Sequence, residues 1–258
     1  MAIEGFNLEG KVAVVAGTGQ SLGKAVALAL AEAGADVAVT SCTQERREVR
    51  MVAEVATEIV KMGRKSLAIS LDVTHAEEVD GMVARVVAQL GKLDILVNNT
   101  DLVFAKPFIE VSDEEWNKVI ALNLSGVFFL ARAAAREMLK QGKGKIINIT
   151  TGLAIRGLPN SAVYCASKGG VIQLTRALAL EWARQNICVN AIGCGWFADV
   201  PGPQQDETLR GSLLRYLPMR RLGQPHEIGA VAVYLASDAS GIMTGDTIFI
   251  DGGVLAHG

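Results

Sequence analysis

Short runs rich in Val and Ile alternate along the chain with longer stretches of helical periodicity, and this alternation limits the fold more than any other feature. Most of the runs lack polar residues at every second position, which is typical of strands buried on both faces of a parallel sheet. The sequence therefore predicts an α/β fold, a doubly wound parallel sheet of about seven strands with helices on both faces. The predicted strands span 12–16, 37–40, 67–71, 95–97, 146–150, 187–192 and 248–250, and the helices span 22–33, 44–62, 76–90, 113–140 and 161–185.

Composition and charge exclude several classes of protein. The 258 residues have a formal net charge of −2 and no stripe of Lys or Arg, so nucleic acid is not an expected partner. No segment approaches the roughly 18 apolar residues of a membrane span, and the first residues do not resemble a secretory signal. We therefore expect a cytoplasmic protein. The four cysteines form no CxxC pair and the three histidines are scattered, so we expect free thiols and no metal site.

The domain organisation is read from the lack of a linker, an internal repeat or a low-complexity tract. One domain over residues 1–258 is the simplest prediction. The stretch 198–218 has the weakest periodicity and contains Pro201, Gly202 and Pro203. It is either a flap over a substrate site or a long surface loop.

A glycine-rich turn follows the first predicted strand and leads into the first helix. In such a turn, backbone N–H groups and the start of the helix face the pyrophosphate of a dinucleotide, although glycines also serve plain tight turns. The position in a first strand–helix turn favours a Rossmann-type cofactor site. Its candidate residues are Gly17, Gly19, Gln20, Ser21, Leu22 and Gly23.

Tyr164 and Lys168 lie four residues apart in a predicted helix, so both can act from one face. A phenol with a pKa of about 10 is a poor base at neutral pH, and a nearby ammonium group lowers that pKa. A lone YxxxK occurs by chance in many proteins. Here it follows the fifth strand of a dinucleotide-binding pattern, which favours acid–base catalysis.

Several motifs in this order resemble those of the short-chain dehydrogenase/reductase family over nearly the whole chain. The matches are Gly17 and Gly23 in the TGxxxGxG turn, Asp72 and Val73 near the adenine, Asn98 and Asn99 in the NNAG motif, Gly195 after the sixth strand, and Asp251-Gly252-Gly253 after the last. The departures are Ala16 and Ser21 in the turn, Thr100 and Asp101 in NNAG, Cys194 for proline, and Asp199 where a threonine usually meets the nicotinamide carboxamide.

The resemblance also implies roles for the catalytic residues. The family's serine lies thirteen positions before the tyrosine, which is Thr151 here, with Thr150 as the alternative. Thr keeps the hydroxyl that binds the substrate oxygen. Asn123 is implied to hold a water in a proton relay to Lys168, and Lys168 also to bind the nicotinamide ribose. A different interpretation is that the two threonines only cap a loop.

The choice between the two nicotinamide cofactors depends on the end of the second strand. In relatives that prefer NAD an acid there binds the ribose, but this chain has Ser41, followed by Arg46 and Arg47. Without the acid, a 2′-phosphate is not repelled, which slightly favours NADP over NAD. The two arginines are better interpreted as solvated helix residues.

The resulting prediction is an NAD(P)-dependent oxidoreductase that interconverts a secondary alcohol and a ketone, acting on a small polar hydroxy or keto compound. Similarity extends to gluconate 5-dehydrogenase-like sugar-acid dehydrogenases and to 3-oxoacyl-ACP reductases, so the latter activity is an alternative. The departures from the family pattern also allow a redox-inactive binding or regulatory subunit, or a non-redox enzyme on the same fold. Segment 124–135 is crowded with large apolar residues and alanines, and segment 162–182 is apolar on more than one face, so both helices are expected to pack against a partner. The resemblance implies a homotetramer, because family members commonly pair these two helices across a two-fold axis.

Overall fold

A computed structural model describes residues 5–198, 200 and 206–256. In these ranges seven parallel strands form one sheet in the order β3-β2-β1-β4-β5-β6-β7. Each predicted strand is confirmed, with ends that differ by at most two residues from the expected ones. The strands are β1 (Val12–Ala16), β2 (Asp36–Thr40), β3 (Ser66–Ile69), β4 (Ile95–Asn98), β5 (Gly144–Thr151), β6 (Ile187–Cys194) and β7 (Thr247–Ile250). The strand order reverses between β1 and β4, where open α/β sheets bind their ligands.

Helices cover both faces of the sheet, as the alternating pattern predicted. In β1, Ala13 and Val15 pack with the helices Ser21–Glu32, Arg46–Lys61 and Pro225–Ala236, whereas Val12 and Val14 pack with the helices Ala76–Leu90 and Gly126–Gln141. Because both sets of side chains are buried, the strand has no polar alternation. The α-helices in the described ranges are α1 (Ser21–Glu32), α2 (Arg46–Lys61), α3 (Ala76–Leu90), α4 (Asp113–Ile120), α5 (Gly126–Gln141), α6 (Ala162–Trp182), α7 (Glu207–Tyr216) and α8 (Pro225–Ala236).

The predicted helix 113–140 contains one irregular turn. Ser112 caps α4 in a reciprocal capping box with Glu115, and Ala121–Ser125 then forms a π-helical turn that leads into α5. Such turns are frequent at functional sites, and this one contains Asn123. The run Asp113–Gln141 is long and apolar enough to cross a membrane by length and composition alone. Its buried apolar side chains, such as Leu130 and Met138, pack against the sheet and α3, as in the core helices of many α/β proteins.

Two helices, α7 and α8, were not predicted from the sequence. Helix α7 lies inside the stretch 198–218, of which Asp199 and 201–205 are outside the described residues. Its N-cap is Asp206, whose carboxylate accepts bonds from the backbone of Thr208 and Leu209. Helix α8 begins with Pro225 in its first turn, and Glu227 completes a capping box. Both starting signals are present in the sequence.

Candidate active site

The glycine turn between β1 and α1 lies against the loop that follows β4. A Cβ added at Gly17, where φ is +83°, would lie 2.3 Å from the Asn99 carbonyl oxygen, and one at Gly23 would lie 2.2 Å from the Gly17 oxygen. The Asn99 side chain donates to that Gly17 oxygen at 3.0 Å. These contacts require glycine at both positions. The turn is therefore tightly packed, as are the glycine turns whose backbone approaches a pyrophosphate in dinucleotide-binding folds.

The remaining residues of the predicted cofactor turn also lie at this switch point. Leu22 is buried in the core below the turn, and Ser21 begins α1. A Cβ at Gly19 would meet the Glu48 side chain at 3.1 Å, so this glycine lies beneath the start of α2. The Gln20 side chain donates to the Asp101 carbonyl oxygen at 3.0 Å, which ties the turn to the loop after β4.

Tyr164 and Lys168 are brought together on one face of α6, as their spacing predicted. Both side chains are buried, with 7% of Tyr164 and 2% of Lys168 exposed. The Lys168 Nζ lies 5.9 Å from the centre of the Tyr164 ring. It donates to the carbonyl oxygen of Thr100 at 2.8 Å, so the ammonium group is held at the carboxyl end of β4.

Asp101 is a third member of this site, although it was not predicted as a site residue. One carboxylate oxygen, Oδ1, accepts a hydrogen bond from the Tyr164 hydroxyl at 2.9 Å and lies 3.0 Å from Lys168 Nζ. The only signal in the sequence was a departure, because Asp101 stands where the NNAG motif of the resembled family ends in glycine. Its pairing with two residues of α6 is a tertiary contact, which a sequence pattern does not reveal.

Burial and Asp101 together raise the pKa of the Tyr164 phenol well above its usual value. Burial is the larger cause, because a phenolate loses its hydration in the protein interior. The Asp101 carboxylate adds charge repulsion and a hydrogen bond that stabilises the protonated form. Within the protein alone, Tyr164 is therefore a proton donor rather than a phenolate base.

Thr151 and Thr150 point to opposite sides of β5, as the strand geometry predicted. Thr150 is buried, and its hydroxyl donates to the Lys168 carbonyl oxygen at 3.1 Å. Thr151 is half-buried at the end of the strand, and its hydroxyl accepts a long bond of 3.4 Å from the Leu153 N–H. Thr150 is thus used in packing α6 on the sheet, while Thr151 can offer its hydroxyl to a ligand.

Asn123 is fully buried in the π-helical turn and positions the loop after β4. Its Oδ1 accepts from the Leu102 N–H at 2.7 Å, and its Nδ2 donates to the Leu102 oxygen at 3.1 Å. The same Nδ2 lies 3.2 Å from the hydroxyl of Ser167, the neighbour of Lys168. The π-helical turn therefore connects α6 with the loop that carries Asp101.

The Ser41 side chain is bonded within the protein, to the segment after β3, and its role as a cofactor-binding residue stays a prediction. It is fully buried, donates to the Leu71 oxygen at 3.1 Å and accepts from the Leu71 N–H at 3.0 Å. A carboxylate does lie at this edge of the sheet, but it comes from α2. Glu48 Oε2 accepts from the N–H groups of Cys42 and Thr43, both at 3.1 Å, and from the Thr43 hydroxyl at 3.0 Å.

The other predicted cofactor residues lie at the carboxyl ends of their strands. The Asp72 carboxylate bonds the backbone and hydroxyl of Thr74, and the Val73 N–H donates to the Cys42 oxygen at 3.1 Å. At the other end of the site, a Cβ on Gly195 would lie 2.6 Å from the Cα of Asp251. Gly195 therefore has to be glycine for β6 and β7 to end side by side.

Cys194 stands where the family has proline, and β-sheet pairing places it beside Thr151. Burial raises the pKa of its thiol to about 12, so it stays protonated at neutral pH. Beyond it, a cavity of about 280 Å³ opens at the ends of β6 and β7. Its lining includes Trp196, Leu217 and Met219, so the residues that follow α7 border this cavity.

Comparisons with known proteins agree with this geometry. A family profile described as enoyl-(acyl carrier protein) reductase matches residues 16–255. The 2-dehydro-3-deoxy-D-gluconate 5-dehydrogenase of Escherichia coli (strain K12) is 39% identical over 260 residues, covering 100% of both chains. A 3-oxoacyl-[acyl-carrier-protein] reductase of Staphylococcus aureus (strain Mu50 / ATCC 700699) is 37% identical over 245 residues, 95% of this chain and 98% of the relative. The crystal structure of a gluconate 5-dehydrogenase from Burkholderia cenocepacia J2315, in complex with NADP and tartrate, has a TM-score of 0.90 at 32% identity and covers 98% of each chain.

A glycine turn at the switch point of a doubly wound sheet, beside a buried Tyr–Lys pair, defines a Rossmann-type dinucleotide-dependent oxidoreductase. The comparisons make the assignment more specific. The chain belongs to the short-chain dehydrogenase/reductase family. It is an NAD(P)-dependent enzyme that acts on CH–OH groups and interconverts an alcohol and a ketone.

Proposed function

We propose that this enzyme interconverts the hydroxyl and keto forms of a small sugar acid, with Tyr164, Lys168, Thr151 and Asn123 as its catalytic group. The observation that carries the site assignment is the convergence of the Tyr164 hydroxyl and the Lys168 amine on one carboxylate oxygen, at 2.9 and 3.0 Å. The substrate class is supported by the sugar-acid dehydrogenases among the relatives, which match the chain over its whole length.

Each residue has one task in the proposed reaction. Thr151 and Tyr164 hold the substrate oxygen, and Tyr164 gives or takes its proton. Lys168 compensates negative charge at this oxygen and binds the nicotinamide ribose. Asn123 holds the loop after β4 in register with α6. The nicotinamide, when bound, supplies or accepts the hydride.

The cofactor fits the turn formed by Gly17, Gly19, Gln20, Ser21, Leu22 and Gly23, with Asp72, Val73 and Asn99 on the adenosine side and Gly195 on the nicotinamide side. The close packing of the turn, in which a Cβ at Gly17 or Gly23 would collide with the backbone of Asn99 or Gly17, supports this placement. We propose NADP as the preferred cofactor because residue 41 is not an acid and a relative was crystallised with NADP. Glu48 opposes this preference, because its carboxylate occupies a group of backbone N–H donors near the turn.

We also propose that the enzyme is a single-domain, cytoplasmic homotetramer, with the stretch 198–218 as a substrate flap. Exposed apolar side chains on the helices that cover one face support assembly, with 41% of Phe128 on α5 and 83% of Leu180 on α6 exposed. The four cysteines, all within the described ranges, are unpaired, as is usual in a reducing compartment. Light scattering at micromolar concentration tests the assembly, because a monomer would contradict it.

Purified protein with a substrate panel tests the function. Gluconate-type hydroxy acids and their keto forms are compared with a 3-oxoacyl thioester, each with NADPH and NADH or their oxidised forms. We expect turnover of a sugar acid that disappears in the Tyr164→Phe variant. Turnover of the thioester alone would favour the 3-oxoacyl reductase alternative. A protein that binds neither cofactor in a fluorescence titration would favour a redox-inactive subunit.

A further inference from the structure

Asp101 is a charged group inside the catalytic pair, at a position where the family motif has glycine. Its Oδ1 is shared between the Tyr164 hydroxyl, at 2.9 Å, and Lys168 Nζ, at 3.0 Å. The Asp101 side chain is 20% exposed, whereas Lys168 is 2% exposed. The carboxylate therefore reaches the buried reacting groups and also retains contact with solvent.

The fold fixes this carboxylate from both sides of the chain. Before it, the Thr100 oxygen accepts the bond from Lys168 Nζ at 2.8 Å. At Asp101 itself, the backbone oxygen accepts from the Gln20 side chain at 3.0 Å. After it, Asn123 bonds both backbone groups of Leu102, at 2.7 and 3.1 Å. The Asp101 contacts are consequently part of the packed site rather than of a loose loop.

The charges around the phenol favour its protonated form. The titratable groups that face Tyr164 are Asp101 after β4, Lys168 and Cys165 on α6, and Cys194 at the end of β6. Burial keeps the Cys194 thiol neutral. Lys168 would favour a phenolate by itself, but the Asp101 carboxylate 3.0 Å away compensates its charge. A phenolate would also lose the bond that the phenol donates to Asp101 and would lie beside a second anion.

We propose that the Asp101 carboxylate keeps Tyr164 in its protonated, phenol form and so adapts the site to ketone reduction near neutral pH. This inference rests on the proposed catalytic role of Tyr164. In the reduction, the carbonyl carbon gains a hydride from the reduced nicotinamide, which is thereby oxidised. The Tyr164 O–H bond breaks and its proton moves to the carbonyl oxygen. Water then returns a proton to the phenolate, and the neighbouring carboxylate favours that return.

The opposite reaction has a different requirement. To oxidise an alcohol, Tyr164 must first lose its proton and then accept the proton of the substrate hydroxyl. Asp101 makes this loss harder, so oxidation needs a higher pH than it would in a site with glycine at this position. The pH dependence of alcohol oxidation therefore reports the effect of Asp101, whereas a merely structural aspartate would leave it unchanged.

Ionisation of Tyr164 can be measured without substrate or cofactor. The chain contains three tyrosines, so ¹³C-labelled tyrosine gives few NMR signals, and Tyr164→Phe assigns the one of interest. Asp101→Asn keeps the shape and removes the charge, and Asp101→Gly restores the family's residue if the first variant does not fold. Asp80→Asn is the matched control, because Asp80 pairs with Arg136 on the surface.

In the variants at position 101 we expect the acid dissociation constant of Tyr164 to rise about tenfold or more, as is typical for loss of an adjacent like charge. Alcohol oxidation should reach half of its maximal rate at a pH lower by about one unit, while Asp80→Asn behaves like the wild type. The proposal would be overturned if the Tyr164 NMR signal changed at the same pH in the wild type and the variants. It would also be overturned if Tyr164 stayed protonated over the whole pH range in all of them. If Tyr164→Phe keeps its turnover, the catalytic assignment itself fails; if it is inactive and only the titration is unchanged, the Asp101 inference alone fails.

Discussion

Replacing Thr151 with valine tests which strand-end hydroxyl binds the substrate. Valine keeps the shape of the side chain and deletes its hydroxyl, whose bond in the protein is a long one of 3.4 Å from the Leu153 N–H. Thr151→Val should therefore change the free energy of unfolding only slightly. Loss of one oxyanion donor lowers kcat by about 10²–10³ in a hydrolase, or about 2.7–4 kcal/mol of transition-state stabilisation. We expect the lower end, about 10², because Tyr164 still donates to the same oxygen.

Thr150→Val is the control, because it removes a hydroxyl that is used in packing. The Thr150 hydroxyl donates to the Lys168 oxygen at 3.1 Å and is buried, so its loss should cost about 1 kcal/mol of stability. In a domain of this size that lowers Tm by about 2–4 °C. The kcat should stay near the wild-type value.

The assay pairs steady-state kinetics at saturating cofactor with a thermal melt of each variant. Thr151→Ser should keep most of the activity, since it retains the hydroxyl and relieves the stiff χ1 of threonine. The opposite result, a kcat that collapses in Thr150→Val and is unchanged in Thr151→Val, would refute the reasoning. It would mean that the catalytic hydroxyl lies one residue earlier than the structure indicates.

Three further predictions concern the cofactor and the catalytic pair. Tyr164→Phe should lose turnover yet bind NADPH almost as tightly as the wild type, whereas Lys168→Ala should lose both turnover and NADPH affinity. Kinetics measures the turnover and fluorescence titration the affinity, and equal, mild effects of the two substitutions would contradict the assignment. Glu48→Gln should raise the affinity for NADPH relative to NADH, because it removes a carboxylate from the N–H groups of Cys42 and Thr43, and an unchanged ratio would place the 2′-phosphate elsewhere. Gly23→Ala should abolish cofactor binding in an isothermal titration or prevent folding, since its Cβ would lie 2.2 Å from the Gly17 oxygen. A variant that folds and binds the cofactor normally would contradict the assignment of the glycine turn as the cofactor site.

The strands and the catalytic pair could be predicted because their signals are local. Buried strands such as β1 read as continuous apolar runs, and the spacing of Tyr164 and Lys168 fixes their common face on a helix whatever surrounds it. Helix α7 was missed although its cap is in the sequence, because it is short, exposed and only weakly periodic. Helical periodicity is a weak signal where few residues are buried. Helix α8 was missed too, although Pro225 and Glu227 mark its start and one of its faces is buried.

The direction of individual side chains could not be predicted in the same way. Ser41 follows a strand whose residues alternate between the two faces, and only the folded structure shows that its hydroxyl bonds the backbone of Leu71. Glu48 lies in α2, seven positions beyond Ser41, and its side chain folds back to the end of β2, where it accepts a bond from the Cys42 N–H. Both results depend on how α2 and the segment after β3 pack, which no local pattern specifies.

The class of fold, the glycine turn after β1 and the common face of Tyr164 and Lys168 follow from sequence alone, because backbone propensity and residue spacing act over a few residues. The tertiary structure decided which charge that phenol meets. Asp101 and Tyr164 are 63 positions apart, and their carboxylate and hydroxyl meet at 2.9 Å because Asp101 follows the end of β4 and Tyr164 lies in the first turn of α6, which the fold brings together. A contact of this kind depends on the packing of distant elements and on desolvation, and both exist only once the chain has folded.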